Sequence, residues 1–155
     1  MSDGLSIQHV NVMVDDLSVA DAFYTEVLGL ERAPTPELGF PAQFYRVGDF
    51  QQIHVNQLAD VHPQRSHFCL RLDDFNGVFQ RARDHDLIDT ATWGKVCRLP
   101  SGVMQAFVRD PSGNLIELSC AADQPVDEAI FELDFVDAGP TRTTTRPAGR
   151  ADQRP

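Results

Sequence analysis

The chain has 155 residues and a formal net charge of −10 at pH 7, from 13 Lys plus Arg against 23 Asp plus Glu. This length fits one domain, and the charge opposes binding to nucleic acid or to an anionic membrane. No stretch is long and apolar enough to span a membrane, and the first residues lack a signal peptide's basic and apolar parts. We therefore expect a cytoplasmic protein with a small-molecule partner. The three cysteines form no CxxC pair, which indicates neither a disulfide framework nor a thiolate zinc site.

The first predicted element is a strand with one apolar and one polar face. Residues 7–14 alternate in character, which places Val10, Val12 and Val14 on one face. His9 and Asn11 lie on the opposite face.

The strand is followed by a predicted helix and three more strands. The helix is about ten residues long; it begins at Ser18-Val-Ala-Asp21, which resembles a capping box, and ends near Gly29. Residues 30–33 form a short strand, and strands near 43–47 and 51–56 are joined by a turn at Gly48-Asp49. The order of this segment is βαβββ.

The same order recurs in the second half of the chain. Residues 66–72 form a strand, and Phe75, Val78, Phe79 and Ala82 mark one face of a following helix. Strands at 104–109 and 115–120 are joined by Asp110-Pro-Ser-Gly-Asn114, a strong hairpin turn.

The two halves match as an internal repeat. Residues 8–17 align with 66–75, with His9 on His67 at an offset of 58 and Asp-Asp on Asp-Asp, and residues 53–55 align with 116–118 at an offset of 63. The repeat predicts an α+β fold of two βαβββ units that form a curved mixed sheet, a cup or open barrel, with the helices outside. One domain spans residues 1–121, with copies at about 5–58 and 64–121. An acidic extension at 122–136, either a short helix or an added strand, precedes a disordered tail at 137–155.

Strand parity predicts the candidate site. The polar face of the first strand of each copy carries His9 or His67, and the polar face of the fourth strand carries His54 or Glu117. Three imidazoles and a carboxylate suit one divalent ion among Zn, Ni, Co, Mn and Fe(II) better than Ca or Mg. The candidate substrate-binding residues on the same faces are Asn11, Asn56 and Arg71.

Other polar and aromatic residues are given simpler interpretations. His62 and His85 are assigned to a loop and a helix surface, and the cysteines to the core. The irregular segments 33–42 and 89–102 rim the cup, where Phe40, Tyr45 and Trp93 either contact substrate or pack.

These motifs resemble the vicinal oxygen chelate superfamily, which includes glyoxalase-type lyases, extradiol dioxygenases, epimerases and antibiotic-resistance proteins. The resemblance covers residues 5 to about 120 and is carried by residues 7–12, the two Asp-Asp pairs, His67 and the segment 107–118. It implies that His9, His67 and Glu117 are metal ligands. The fourth ligand position of the family, Glu or Gln in several members, falls on His54.

The resemblance leaves three functions open. A lyase or isomerase would bind two adjacent oxygens of a small organic substrate to the metal, with Glu117 as the base and His54 as the second choice. An extradiol-type dioxygenase would hold Fe(II) with His9, His67 and Glu117 alone. A resistance protein would bind an antibiotic or another small ligand without catalysis. Members often dimerise, so we expect a homodimer.

Overall fold

A computed structural model of the chain describes residues 6–63, 65–92 and 96–130. Trp93, residues 131–136 of the acidic extension and the predicted tail at 137–155 lie outside these ranges. The described part contains two modules in sequence. The strands of the first are β1 (His9–Val14), β2 (Arg32–Ala33), β3 (Ala42–Val47) and β4 (Gln51–Gln57), and those of the second are β5 (His67–Arg71), β6 (Cys97–Arg98), β7 (Met104–Arg109) and β8 (Leu115–Cys120).

Each module forms its own four-stranded mixed sheet. The strand order is β1-β4-β3-β2 in the first sheet and β5-β8-β7-β6 in the second. In both sheets the first strand of the module pairs in parallel with the fourth, and the fourth pairs antiparallel with the third. The predicted α+β fold of two βαβββ units is confirmed, and the parallel pair brings the first and fourth strands side by side.

The Asp-Asp repeat begins both helices. Helix α1 (Leu17–Ala22) continues as a π-helix (Phe23–Val27), and Asp16 is its N-cap because its Oδ1 accepts hydrogen bonds from the backbone N–H groups of Ser18 and Val19. The predicted capping box at Ser18 is therefore wrong, since the Ser18 hydroxyl donates to Asp16 instead. Helix α2 (Phe75–Asp84) begins in the same way at Asp74, which accepts from the N–H of Gly77.

The core lies between the helices and the apolar faces of both sheets. Val12, Val14, Ile53 and Val55 are buried from the first sheet, as are Leu70, Ile116 and Leu118 from the second. All four apolar residues predicted for the second helix, Phe75, Val78, Phe79 and Ala82, are buried in α2. The alternation read from the sequence thus separates a buried face from a polar face in each sheet.

The hairpin turn at residues 110–114 joins the two modules. Asp110 is buried, and its carboxylate accepts hydrogen bonds from the N–H groups of Ser112 and Asn114, from the Asn114 amide and from the hydroxyl of Tyr24 in the first module. Gly113 has a φ of +86°, which favours glycine. Burial raises the pKa of the Asp110 carboxyl despite these donors.

We expect Tyr24→Phe to lower the free energy of unfolding by about 1–3 kcal/mol, because it removes one donor from the buried Asp110 carboxylate. Tyr45→Phe is the matched control, since the Tyr45 hydroxyl donates to Asp21, which also binds Arg32 nearer the surface. Urea unfolding of both variants at pH 7 measures the two losses. A Tyr24→Phe loss no larger than the Tyr45→Phe loss would contradict the importance of this junction.

The described part of the acidic extension ends in a 3-10 helix, Glu128–Ile130, and Ile130 packs into the core. Up to residue 130 this turn is the one regular element that the structure describes in the extension. Within the described ranges, no helix has the length and apolar character needed to cross a membrane.

Candidate metal centre

The polar faces of both sheets carry the residues that the sequence singled out. His9 and Asn11 are exposed on β1, and His54 is partly buried on the neighbouring β4. In the second sheet His67 is exposed on β5, and Glu117 is partly buried on β8. Each sheet therefore holds two of the four predicted ligands on adjacent parallel strands.

The first pair is part of an aromatic stack. The His54 ring lies between the His9 ring, at a centroid distance of 4.2 Å and 10° from parallel, and the Phe44 ring, at 3.5 Å and 4°. His54 Nε2 lies 2.8 Å from Gln52 Oε1, and His9 Nδ1 hydrogen-bonds to Gln8 Oε1. Burial, and next the neighbouring His9, lower the pKa of His54. A neutral His54 ring held on both faces follows from these contacts.

The stack affects how the first pair can bind a metal. An imidazole binds a metal through a lone pair in the ring plane, and an ion in the plane of His9 lies outside the nearly parallel plane of His54. The hydrogen bond to Gln8 leaves Nε2 of His9 as the ring nitrogen with a free lone pair. His54 instead uses Nε2 to donate to Gln52. The geometry suits His9 as a ligand directly, whereas His54 must turn out of the stack to join it.

The second pair brings two potential metal-ligating atoms into contact. His67 Nε2 lies 3.2 Å from Glu117 Oε2, and His67 Nδ1 lies 3.3 Å from the carbonyl oxygen of Arg65. Because a carbonyl oxygen only accepts, Nδ1 carries a proton in this contact, and Nε2 lies within hydrogen-bond distance of the Glu117 carboxylate. Both Nε2 and Oε2 are atom types that bind divalent ions, so an ion held by the two side chains would replace this contact.

Neighbouring side chains surround the Glu117 carboxylate. Its second oxygen, Oε1, accepts a hydrogen bond of 2.8 Å from Gln105 Nε2 on β7. Cys69, opposite Glu117 on β5, donates to Ser119, and burial raises the pKa of both the Cys69 and the Cys97 thiols. The cysteines are therefore protonated neighbours of the carboxylate rather than thiolate ligands. Cys97 and Cys120 are buried as predicted, but Cys69 is exposed.

Within the described part of one chain, the two pairs do not come together. Across them, no group of three or more His, Cys, Asp or Glu side chains has the spacing of a metal site. His9 meets His54, and His67 meets Glu117, but the four side chains do not form one cluster within the chain.

The predicted substrate-binding residues also lie on the polar faces. Asn56 Nδ2 donates to Asn11 Oδ1 over 3.1 Å, which joins β4 to β1. Among the described side chains, Asn56 Oδ1 is a buried acceptor with no hydrogen-bond donor. Arg71 is exposed on β5, on the same face as His67.

Three aromatic and amide residues correct the picture drawn from the sequence. Tyr45 is fully buried and its hydroxyl binds Asp21, so it packs in the core and does not contact substrate. Its neighbour Phe44 is the residue that faces the site. Phe44 lies opposite His54 in the sheet, and Phe107 lies opposite Glu117 at the equivalent position of the second module. The sequence analysis missed Phe44 and Gln105, although their parity relative to the paired fourth strand was a usable signal.

Comparison with protein-family models decides the family. The model for the Glyoxalase/Bleomycin resistance protein/Dioxygenase superfamily matches residues 6–118. The chain belongs to this superfamily. The matched segment covers nearly all of both predicted copies, so the vicinal oxygen chelate resemblance is confirmed. A search of curated proteins gave no match.

Solved structures of the superfamily share the fold. A Bacillus anthracis protein of the glyoxalase family is 26% identical, with a TM-score of 0.61 over 76% of this chain and 95% of that one. Lactoylglutathione lyase from Agrobacterium tumefaciens is 25% identical, with a TM-score of 0.58 over 78% and 97%. The fosfomycin resistance protein from Listeria monocytogenes is 16% identical, with a TM-score of 0.60 over 78% and 95%. The superfamily thus includes lyases and resistance proteins.

Proposed function

We propose that this vicinal oxygen chelate protein is a divalent-metal-dependent enzyme with glyoxalase-like lyase or isomerase chemistry. The observation that carries the proposal is the pair of donor atoms His67 Nε2 and Glu117 Oε2, which face each other at 3.2 Å while the carbonyl of Arg65 holds the proton of His67 on Nδ1. Metal-binding histidines are oriented in this way, with the second ring nitrogen donating to a carbonyl or carboxylate.

His9 supports the same proposal from the first module. It is the repeat partner of His67, and its Nδ1 is likewise engaged, here by Gln8. In both histidines Nε2 is therefore the ring nitrogen that would bind an ion, and His67 would exchange its contact with Glu117 for a shared ion. With Glu117, these nitrogens give a mixed N/O set that fits Zn, Ni, Co, Mn or Fe(II), and His54 supplies a fourth ligand if it leaves the stack.

The chemistry divides between the ion and the side chains. A divalent ion held by these residues supplies Lewis acidity to two adjacent oxygens of a hydroxy-ketone, hemithioacetal or enediol substrate. Glu117 then accepts a proton from the substrate carbon beside them and returns it to the neighbouring carbon or oxygen. Burial and His9 lower the pKa of His54, so His54 is the second candidate for this proton transfer.

The substrate-binding residues fit a small polar substrate. Asn56 Oδ1, a buried acceptor without a donor among the described residues, points to a hydroxyl or amine of the substrate as its partner. Arg71 offers a charged donor on the other module. We assign Asn11 the task of orienting Asn56, because the two amides are hydrogen-bonded.

We further propose that the metal site is completed in a homodimer. His9 and His54 of one chain would meet His67 and Glu117 of the partner subunit, since each chain holds the two pairs in separate sheets. A dimer related by a twofold axis would contain two such sites.

The free edges of β1 and β5 support this assembly. The carbonyl oxygen of Gln8 accepts from the N–H of Gln52 on β4, and that of Val14 accepts from the N–H of Leu58 just after β4. The backbone groups of the alternate residues, His9 and Asn11, therefore point to the open edge. β5 is also an edge strand. Within the described ranges neither strand pairs along its outer side, and a groove of about 500 Å³ lies between them. Open edges that carry ligands are natural surfaces for pairing with a second chain.

A second candidate function, an Fe(II) extradiol-type dioxygenase, is favoured by one observation. His54 is stacked and donates from Nε2, which leaves His9, His67 and Glu117 as a set of two histidines and one carboxylate. His54 would then act as an acid or base beside the site. Oxygen uptake with catechols under ferrous iron would distinguish this function from the lyase.

Metal analysis tests the proposal directly. We expect the purified protein, or the protein reconstituted with Zn, Ni, Mn or Fe(II), to hold about one divalent ion per chain, because deprotonated ligands of this kind bind such ions at neutral pH. His9→Ala and Glu117→Ala should each lose most of it. His85→Ala is the matched control, since His85 lies at the end of α2, away from both pairs.

Two outcomes would contradict the metal proposal. Absence of metal from the wild-type protein after reconstitution would leave the alternative of a non-catalytic protein that binds an antibiotic or another small ligand. Equal losses in His9→Ala and His85→Ala would show that the ion binds elsewhere.

A further inference from the structure

We propose that Gln105 is a positioning residue that keeps one oxygen of Glu117 away from the metal and leaves the other to bind it. The inference rests on the proposed function for the presence of the ion. Glu117 would bind the ion through Oε2 alone, and the amide of Gln105 would set this mode.

The contacts give the two carboxylate oxygens different partners. Oε1 accepts a hydrogen bond of 2.8 Å from Gln105 Nε2, whereas Oε2 faces His67 Nε2 at 3.2 Å. Oε2 is therefore the oxygen that could bind the same ion as His67. Oε1 accepts a hydrogen bond from the Gln105 amide, so it is less available than Oε2 to bind an ion.

The orientation of the Gln105 amide follows from its other contact. Cys97 Sγ on β6 donates to Gln105 Oε1 over 3.5 Å. Because the thiol donates and the carboxylate only accepts, the amide must turn its oxygen to Cys97 and its nitrogen to Glu117. The reversed amide would set an oxygen against a carboxylate oxygen. The two contacts therefore favour the same direction of the amide, and Cys97 supports the orientation in which Gln105 donates to Glu117.

The first module has no such arrangement. Gln105 pairs with Ser119 in the second sheet, and the equivalent pair in the first sheet is Ala42 with Asn56. An alanine side chain has no donor, and the fourth-strand residue of that module, His54, is held by Gln52 of its own strand and by stacking. A carboxylate held by a neighbouring amide therefore occurs in the second module only. This agrees with the proposal that Glu117 is the one ligand that also accepts a proton.

Holding one oxygen has a consequence for catalysis. A carboxylate that releases its metal bond to accept a proton is free to swing away from the substrate unless another group retains it. Gln105 would retain it through Oε1. The side chain would then stay in place while Oε2 accepts the proton. Groups that hold a metal ligand in this way typically change metal affinity or activity by about 10–100-fold when removed.

The test uses Co(II) bound to the full chain, because its visible absorption bands report the number and type of ligands. Gln105→Met has similar length and no N–H donor. We expect it to weaken Co(II) binding by about 10–100-fold in a chelator competition, because Glu117 is no longer held in position. We also expect the visible bands to shift, because the carboxylate can then bind through either oxygen. Gln80→Met makes the same change on the exposed surface of α2 and should leave the Co(II) affinity and the visible bands unchanged.

Two variants of Cys97 test the orientation of the amide without altering Gln105 itself. Cys97→Ala removes the donor that orients the amide and should shift the bands in the direction of Gln105→Met. Cys97→Ser retains a hydroxyl donor and should restore the wild-type spectrum. Thermal unfolding of each metal-free variant shows whether the fold is kept.

The possible failures are distinguishable. Wild-type affinity and spectrum in Gln105→Met, together with loss of Co(II) in Glu117→Ala, would overturn the role of Gln105 and leave the metal site intact. Equal spectra in Cys97→Ala and Cys97→Ser would overturn the orientation by Cys97. A wild-type protein that takes up no Co(II) would contradict the proposed function itself, and this inference with it.

Discussion

Glu117→Gln should abolish turnover and retain much of the bound metal. The substitution keeps the length of the side chain and an oxygen that can accept from Gln105, but an amide cannot take up a proton near neutral pH. General-base catalysis contributes typically about 10²–10⁴-fold, so we expect a loss of at least that size in kcat. Turnover with a panel of hydroxy-ketones and hemithioacetals, measured beside metal content, checks both halves of the expectation.

An isotope experiment makes the same test independent of product formation. In D₂O, the wild-type protein should exchange the hydrogen on the carbon beside the chelated oxygens, and NMR should show that Glu117→Gln does not. Glu26→Gln makes the same chemical change at an exposed position of the π-helix and should behave as wild type. Unchanged turnover in Glu117→Gln would contradict the assignment of Glu117 as the base, and His54 would then be the candidate base.

Mixing two inactive variants should restore metal binding if the site is shared between chains. A heterodimer of His9→Ala with Glu117→Ala has one site with both substitutions and one site with neither, because each site would take its histidine pair from one chain and His67 with Glu117 from the other. Differently tagged chains allow the heterodimer to be isolated. We expect it to bind about one ion per dimer, while each homodimer binds almost none.

The same experiment has a sharp contrary outcome. If each site forms within one chain, the heterodimer carries one substitution in each site and stays as empty as the homodimers. A control with His67→Ala and Glu117→Ala chains places both substitutions in the second module, so it should restore nothing under either arrangement. A protein that sedimented as a monomer with a full metal content would also contradict the shared site.

Several local features follow from the sequence because they depend on short-range chemistry. The alternation around His9 and His67 predicts which face is polar, and the structure keeps that parity. The turn at residues 110–114 forms where Pro, Gly and Asn predict it. The capping prediction at Ser18 was wrong for an equally local reason, since Asp16 stands earlier and its carboxylate is the better acceptor for the first N–H groups.

Phe44 and Gln105 show why part of the site was missed. Both lie on third strands of a module, where apolar residues occur on both faces and the pattern does not select one. Tyr45 and Phe44 are adjacent aromatics on opposite faces, and only the pairing of Phe44 with His54 separates the core residue from the site residue. The same holds for Gln105, whose partner Glu117 is found only once the hairpin register is known.

The sequence by itself determined the repeat, the α+β modules, the superfamily and the faces on which His9, His54, His67 and Glu117 lie. Periodicity and the repeat offset give the modules and the faces, because side-chain direction in a strand depends only on parity. The superfamily follows from the resemblance of the motifs at residues 7–12 and 107–118. The tertiary structure decided that the four residues divide into two pairs in separate sheets, and that a stack holds His54 while an amide holds Glu117. Such contacts depend on strand register and on which edges remain open, and these are set by the packing of the whole chain rather than by any short segment of it.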